Sequence, residues 1–161
     1  MKSASDQWAR PASAGDLARP PYVDTSALAK RYLNENRSEE LDEFLIGNTP
    51  VSISSLTTVE MRSLLARRRR EGDVDRALEG RLWAALGEDI AEGFLLTHPL
   101  IDEHAAAAVR LLAMLPHVPL RTLDAVHLAI ARQIGATHLV TADRVMVAGA
   151  EELGFRVTRF D

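Results

Sequence analysis

Cysteine is absent from all 161 residues, which excludes disulfides, thiolate metal sites and a cysteine nucleophile. Lysine is nearly absent too: Lys2 and Lys30 are the only two. No apolar run approaches the roughly 20 residues that cross a bilayer, and residues 1–20 lack the apolar centre of a secretory signal. A cytoplasmic location is therefore the expectation. The five histidines, His98, His104, His117, His127 and His138, show no HExxH-like pairing, which disfavours a zinc hydrolase. No internal repeat is visible, and the apolar runs are too short and too few for a barrel.

What remains is the composition of an ordinary globular chain, 47% hydrophobic and 26% charged. Its length suits one domain with a real core. The net charge of −4 argues weakly against a protein coated in basic charge for nucleic acid. Carboxylates can nevertheless gather in a site while cations gather elsewhere. Nearly all of the cationic charge is arginine, the better phosphate fork, although genome composition also biases a chain toward arginine.

Residues 1–20 are small, polar and punctuated by proline, which reads as a disordered leader or an extension. A single domain is expected over 21–161. There the chain alternates short apolar runs with longer helical patterns, the mark of an α/β domain with a mostly parallel sheet. Strands are predicted at Tyr22–Asp24, Val51–Ser54, Phe94–Thr97, His138–Thr141 and Phe155–Val157. Helices are predicted from Ser26 to Leu33, from Ser38 to Ile46 with Gly47 as the stop, and from Ser54 or Ser55 to Gly72. Further helices are predicted from Asp73 to about Glu92, with Leu78, Leu82, Trp83 and Leu86 on a core face, and from about Ile101 to Leu115. Thr122–Ile134 reads as a helix apolar nearly all round, and Asp143 as the cap of a helix ending near Gly154.

The acidic residues are informative by location. Asp24 and Asp143 fall at the carboxyl ends of predicted strands, where open α/β sheets hold their ligands. Asp124 lies in LDAVHLAIA, a helix expected to be buried on most sides. A buried carboxylate there should pair, bind a cation or take up a proton. Arg121, three residues back, offers an ion pair as the competing explanation. Glu60 and Asp143 each have an ordinary reading too, a first-turn acid favoured by the helix dipole and an N-cap. Taken jointly, the four would make a hard-oxygen pocket suited to Mg²⁺ or Mn²⁺ rather than zinc. Without a cation their mutual repulsion would destabilise it.

Four motifs resemble those of the PIN domain family, and within it the VapC-type toxins of bacterial toxin–antitoxin pairs. YVDTSALAKRYL resembles the first, with Asp24 as its acid and Ser26 as its small hydroxyl residue; SSLTTVEMRSLLARR resembles the second and carries Glu60. LRTLDAVHLAIARQIGATHLVTADRVMVAGAEELGFRV resembles the run that holds the third and fourth, with Asp124 and Asp143. The match runs from about Tyr22 to Val157, and the chain departs from the pattern in carrying a leader before Tyr22.

The resemblance implies a single PIN-like domain, with a five-stranded parallel sheet flanked by helices, and an endoribonuclease that needs Mg²⁺ or Mn²⁺. It also implies a homodimer, an RNA substrate and a cognate antitoxin. On that reading Asp24, Asp124 and Asp143 are metal ligands, and Glu60 completes the catalytic set as a ligand or by orienting water. Ser26 and Thr141 either hold those carboxylates or serve as a helix cap and a strand former. His127 is expected as a core histidine. Arg67 to Arg70 are either a solvated helix end or a contact for RNA or antitoxin. Two other readings are an inert PIN-fold binding module and a phosphatase-like enzyme with Asp24 as nucleophile. The latter wants a second aspartate where Ser26 stands.

Overall fold

The computed structural model describes residues 19–161. Residues 1–18, most of the expected leader, lie outside the described residues. The five strands are β1 (Tyr22–Val23), β2 (Val51–Ser54), β3 (Leu95–His98), β4 (His138–Thr141) and β5 (Arg156–Arg159), and seven helices accompany them among the described residues. These are α1 (Thr25–Tyr32), α2 (Ser38–Asn48), α3 (Ser55–Glu71), α4 (Arg76–Ala91), α5 (Asp102–Met114), α6 (Thr122–Gln133) and α7 (Arg144–Glu152). All pairings are parallel, in the order β3-β2-β1-β4-β5. This is the five-stranded parallel sheet expected from the sequence. No helix among the described residues is long and apolar enough to cross a membrane.

Strands covered on both faces read as continuous apolar runs, and successive residues serve opposite faces. Tyr22 and Leu139 pack into one buried cluster with Leu128 and Ile130 of α6, Met146 of α7 and Leu111 of α5. Their neighbours Val23 and Val140 pack into the other, with Leu28 of α1, Leu41 and Leu45 of α2 and Ile53 of β2. Each such side chain contributes roughly 1.5–3 kcal/mol of burial. Helix α6 is buried over Asp124, Ala125 and His127 to Ala131, in keeping with its nearly all-round apolar sequence. Helix α7 lies so close to α6 that a Cβ on Gly149 would come within 3.1 Å of the Leu128 side chain.

The order matters for function. From β1 the chain moves outward to β2 and β3, then returns to lay β4 on the other side of β1. The strand order therefore reverses between β1 and β4, and such switch points open a crevice beyond the carboxyl ends of their strands. Asp24 and Asp143 follow those two strands.

Several boundaries differ from the sequence expectation. Helix α1 begins at Thr25 rather than Ser26, because Asp24 caps it by accepting from Ala27 N at 3.0 Å. Helix α2 runs through Gly47 to Asn48 and stops just ahead of Pro50, as the steric demand of a proline on its predecessor favours. Helix α3 does end at Gly72, whose φ of 87° is a left-handed conformation that glycine adopts without a Cβ clash. Helix α4 starts at Arg76 and not Asp73, since Asp75 takes the capping role by accepting from Leu78 N at 2.7 Å. Trp83 is exposed under the Arg62 guanidinium rather than in the core, while Leu86 is buried.

Helix α4 instead buries two acids, Glu79 and Asp89. Asp89 is 1% exposed and accepts from Arg31 Nε at 3.1 Å and from the Tyr32 hydroxyl at 2.6 Å. This charged contact joins α4 to α1, the helix that follows Asp24. Truncation leaves a buried cation without that partner, which costs more than the pair itself contributes. Asp89→Ala is expected to destabilise the fold by about 3–5 kcal/mol, measured by chemical denaturation. A loss below about 1 kcal/mol would show that α1 and α4 do not depend on the contact.

Candidate active site

Asp24 is the first residue beyond β1, and its backbone N–H donates to Val140 O of β4 at 3.0 Å. The carboxylate is 3% exposed. Oδ1 accepts from Ala27 N at 3.0 Å and from Ser26 Oγ at 2.8 Å; Oδ2 accepts from Thr141 Oγ1 at 2.8 Å and Ser26 Oγ at 2.9 Å. These donors are all neutral. Burial pushes the carboxyl above its ordinary value, and the His127 charge and the hydrogen bonds only partly offset it.

Ser26 and Thr141 also fix the facing turn. Ser26 Oγ accepts from Ala142 N at 2.9 Å, and Thr141 Oγ1 accepts from Asp143 N at 3.0 Å. Both hydroxyls thus tie the Asp24 carboxylate to the backbone that leads into α7, and Ser26 does not cap α1. Asp143 caps α7 through Oδ1, which accepts from Val145 N at 2.7 Å and Met146 N at 3.1 Å. Its Oδ2 accepts from Arg121 Nη2.

Arg121 is bound to Asp124 as well. Asp124 Oδ2 accepts from Arg121 N at 2.9 Å and Arg121 Nε at 3.1 Å. The competing ion pair read from the sequence is therefore present, and the same guanidinium reaches Asp143, 22 residues further along. Its side chain is 70% exposed. The Asp124 hydrogen bond, with the Asp124 and Asp143 charges beside it, holds the guanidinium above its ordinary pKa.

Glu60 forms a second group. Its Oε2 accepts from Thr25 Oγ1 and from His127 Nε2, the latter at 2.7 Å. A carboxylate only accepts, so Nε2 carries the proton, and the Tyr22 hydroxyl stands at hydrogen-bond distance from Nδ1, 2.7 Å away. Burial raises the Tyr22 pKa, which keeps that hydroxyl protonated. For Glu60, burial acts upward, but the His127 and Thr25 hydrogen bonds and the His127 and Arg121 charges outweigh it. Its carboxyl lies below the ordinary range.

All four acids thus stand in one hydrogen-bonded neighbourhood. Asp24, Thr141, Asp143, Arg121 and Asp124 form one connected chain, and Thr25, adjacent to Asp24, reaches Glu60. Sequence reasoning missed the partners: Thr25, Tyr22 and the second reach of Arg121. His127 is buried, as a core histidine should be, yet it also binds Glu60. Its place three residues after Asp124, on the same helix face, was the available signal. A groove of about 600 Å³ opens here, lined by Thr25, Ser26, Glu60 and Arg121, and it continues along α3 past Arg67 and Arg70.

Among the described residues no three acidic or imidazole groups stand close enough to make a ready-formed cation cage. The donors nevertheless suit a hard divalent cation. They are carboxylate oxygens, no salt bridge reaches Asp24 among the described residues, and a guanidinium already bridges Asp124 and Asp143.

The PIN domain family profile matches residues 22–151. Ribonuclease VapC47 of Mycobacterium tuberculosis (strain CDC 1551 / Oshkosh) is 34% identical over 140 residues, covering 83% of this chain and 92% of that relative. Among solved structures, Mycobacterium tuberculosis VapC20, a sarcin-ricin loop cleaving toxin, is similar with a TM-score of 0.64 at 19% identity. The similarity covers 79% of this chain and 92% of that one. VapBC2 from Rickettsia felis, bound to a DNA fragment from its promoter, gives 0.63 at 14% identity, over 89% of this chain and all of that one. A toxin–antitoxin complex from Klebsiella pneumoniae gives 0.50 at 20% identity, over 76% and 86%. At these identities the solved structures speak to the fold.

The burial of Asp24 has a measurable sign. Because its folded pKa is raised, the native state retains a proton that the unfolded chain releases from about pH 4 upward. Without divalent cations, stability should fall as pH rises through that window. Asp24→Asn should flatten this part of the profile. Denaturation midpoints of both proteins from about pH 4 to pH 7 check it; superimposable profiles would show that burial does not hold the carboxyl up.

Proposed function

The chain belongs to the PIN domain family, and from that membership we propose that it is a divalent-cation-dependent endoribonuclease, the toxin of a toxin–antitoxin pair. The observation that carries this reading is the buried Asp24 carboxylate at the switch point, surrounded by neutral donors and one hydrogen-bond network away from Asp143 and Asp124. The identity to a relative named a ribonuclease supports the activity. The toxin and toxin–antitoxin names of the similar proteins support a cognate antitoxin, and a homodimer belongs to the same reading.

Asp24, Asp124 and Asp143 would hold Mg²⁺ or Mn²⁺. When bound, such a cation supplies Lewis acidity and charge neutralisation for phosphodiester hydrolysis. Ser26 and Thr141 lock the Asp24 rotamer from behind, as outer partners of a ligand carboxylate do. Glu60, kept ionised and lining the groove, accepts a hydrogen bond from the attacking water and receives its proton. His127 and Tyr22 hold Glu60 in place from the core side. Arg121, exposed over most of its length, exchanges its carboxylates for the substrate phosphate and offsets the negative charge gathering there.

Purified wild type should cut RNA with Mg²⁺ or Mn²⁺ and stop when the cation is chelated. Asp24→Asn and Asp124→Asn should each slow cleavage on the order of 100-fold or more, equivalent to about 3 kcal/mol of barrier, with the fold retained by circular dichroism. An Asp24→Asn protein that cuts as fast as wild type with Mg²⁺ sinks the assignment. A readout independent of turnover is thermal stability. Mg²⁺ or Mn²⁺ should raise the melting temperature of wild type and leave that of Asp24→Asn unmoved, whereas an inert scaffold would respond in neither protein.

A further inference from the structure

Helix α3 carries Glu60, Ser63, Arg67 and Arg70 at intervals of three and four residues, which places them on one face. All four line the groove that also takes in Thr25, Ser26 and Arg121, beside the carboxylate site. At about 1.5 Å per residue, Arg67 lies roughly 10 Å and Arg70 roughly 15 Å beyond Glu60 along the axis. The line therefore starts at the acids and ends in cations, a few nucleotides of single strand away.

The groove's other cations are already engaged by carboxylates. Lys30 pairs with Glu35, Arg121 with Asp124 and Asp143, and Arg68 donates to Glu35 and Asp73 at 2.8 Å each. Arg69, on the far side of the helix, donates to Glu79 at 2.8 Å. Arg67 and Arg70 are exposed, and no acid pairs with either among the described residues. Helix-end dipole compensation explains cations in this stretch. It does not explain why the two that face the groove are left without carboxylates while their neighbours between them are neutralised. In a chain of net charge −4, this is positive charge kept available along one track.

We propose that Arg67 and Arg70 are positioning residues that grip successive phosphates of a single-stranded RNA, holding the scissile bond at the Glu60 end of the groove. This rests on the ribonuclease reading, and it adds which side chains bind the strand and along which path it lies. Guanidinium forks match phosphate oxygens, and Ser63 adds a hydroxyl donor between them and Glu60. Arg68 and Arg69 contribute to the fold instead.

The test uses the full chain without divalent cation, so that binding is read apart from cleavage. The probe is a fluorescent single-stranded RNA of about eight nucleotides. Arg67→Gln/Arg70→Gln is expected to weaken binding about tenfold or more and to lower the slope of log affinity against log salt by about 1.4, two contacts' worth for a single strand. Arg67→Lys/Arg70→Lys should keep the slope, because the charge is restored. Arg81→Gln/Arg110→Gln, equal in charge change but outside the groove, should match wild type in both. An unchanged slope in the Gln variant, or an equal loss in the Arg81/Arg110 control, overturns the proposal. So does a poly-glutamate peptide that needs Arg67 and Arg70 while RNA binding does not, which would assign the track to an acidic protein partner. If wild type proves unable to cut RNA with Mn²⁺ while the Gln variant still loses affinity and slope, the ribonuclease reading fails and the phosphate grip stands.

Discussion

A carboxylate withdrawn from water at the point where the sheet reverses direction is the constraint around which this molecule is arranged. Asp24 is held by one backbone amide and two hydroxyls, none of which carries charge. Everything near it follows from keeping that side chain in place. Asp24 caps α1, its amide joins β4, and its two hydroxyl partners bind the turn into α7. The buried Arg31–Asp89 contact anchors α1 from the opposite side, so the first turn after Asp24 has little freedom to relax.

The second constraint is the competition for Arg121. Its guanidinium bridges Asp124 and Asp143, relieving the repulsion that two neighbouring carboxylates would suffer. At 70% exposure it is screened and easily exchanged. Asp24, by contrast, has no such temporary partner. The proposed centre therefore divides into a fixed acid, Asp24, and two acids whose charge is covered by a side chain able to leave.

Much of this was legible in the sequence, for identifiable reasons. Short apolar runs alternating with helical patterns specify a parallel sheet, and acids immediately after two such runs mark the crevice. Asp24 and Asp143 were placed by that logic. The all-round apolar character of 122–134 showed that Asp124 and His127 would be buried. Other features needed three dimensions. Arg121 and Asp143 are 22 residues apart, and Tyr22 and His127 are 105 apart, so no local periodicity links them. Ser26 looked like a cap because serine favours that position, but Asp24 caps the helix two residues earlier and the Ser26 hydroxyl donates to its carboxylate instead. Trp83 misled because an aromatic on an apolar stripe suggests core, whereas here the stripe narrows and Arg62 covers the ring.

The sheet order also says when the proposed centre comes into being during synthesis. Strand β1 is the first to leave the ribosome, but it lies between β2 and β4, and its second neighbour belongs to the last quarter of the chain. Until β4 arrives, Asp24 lacks Thr141, Val140 and the turn that carries Asp143. Domains fold as units as the chain emerges, and here the unit closes late. A chain whose translation halts between residues 124 and 138 carries Asp24, Glu60 and Asp124 but no second wall for the crevice. Interrupted synthesis therefore yields fragments without an assembled centre.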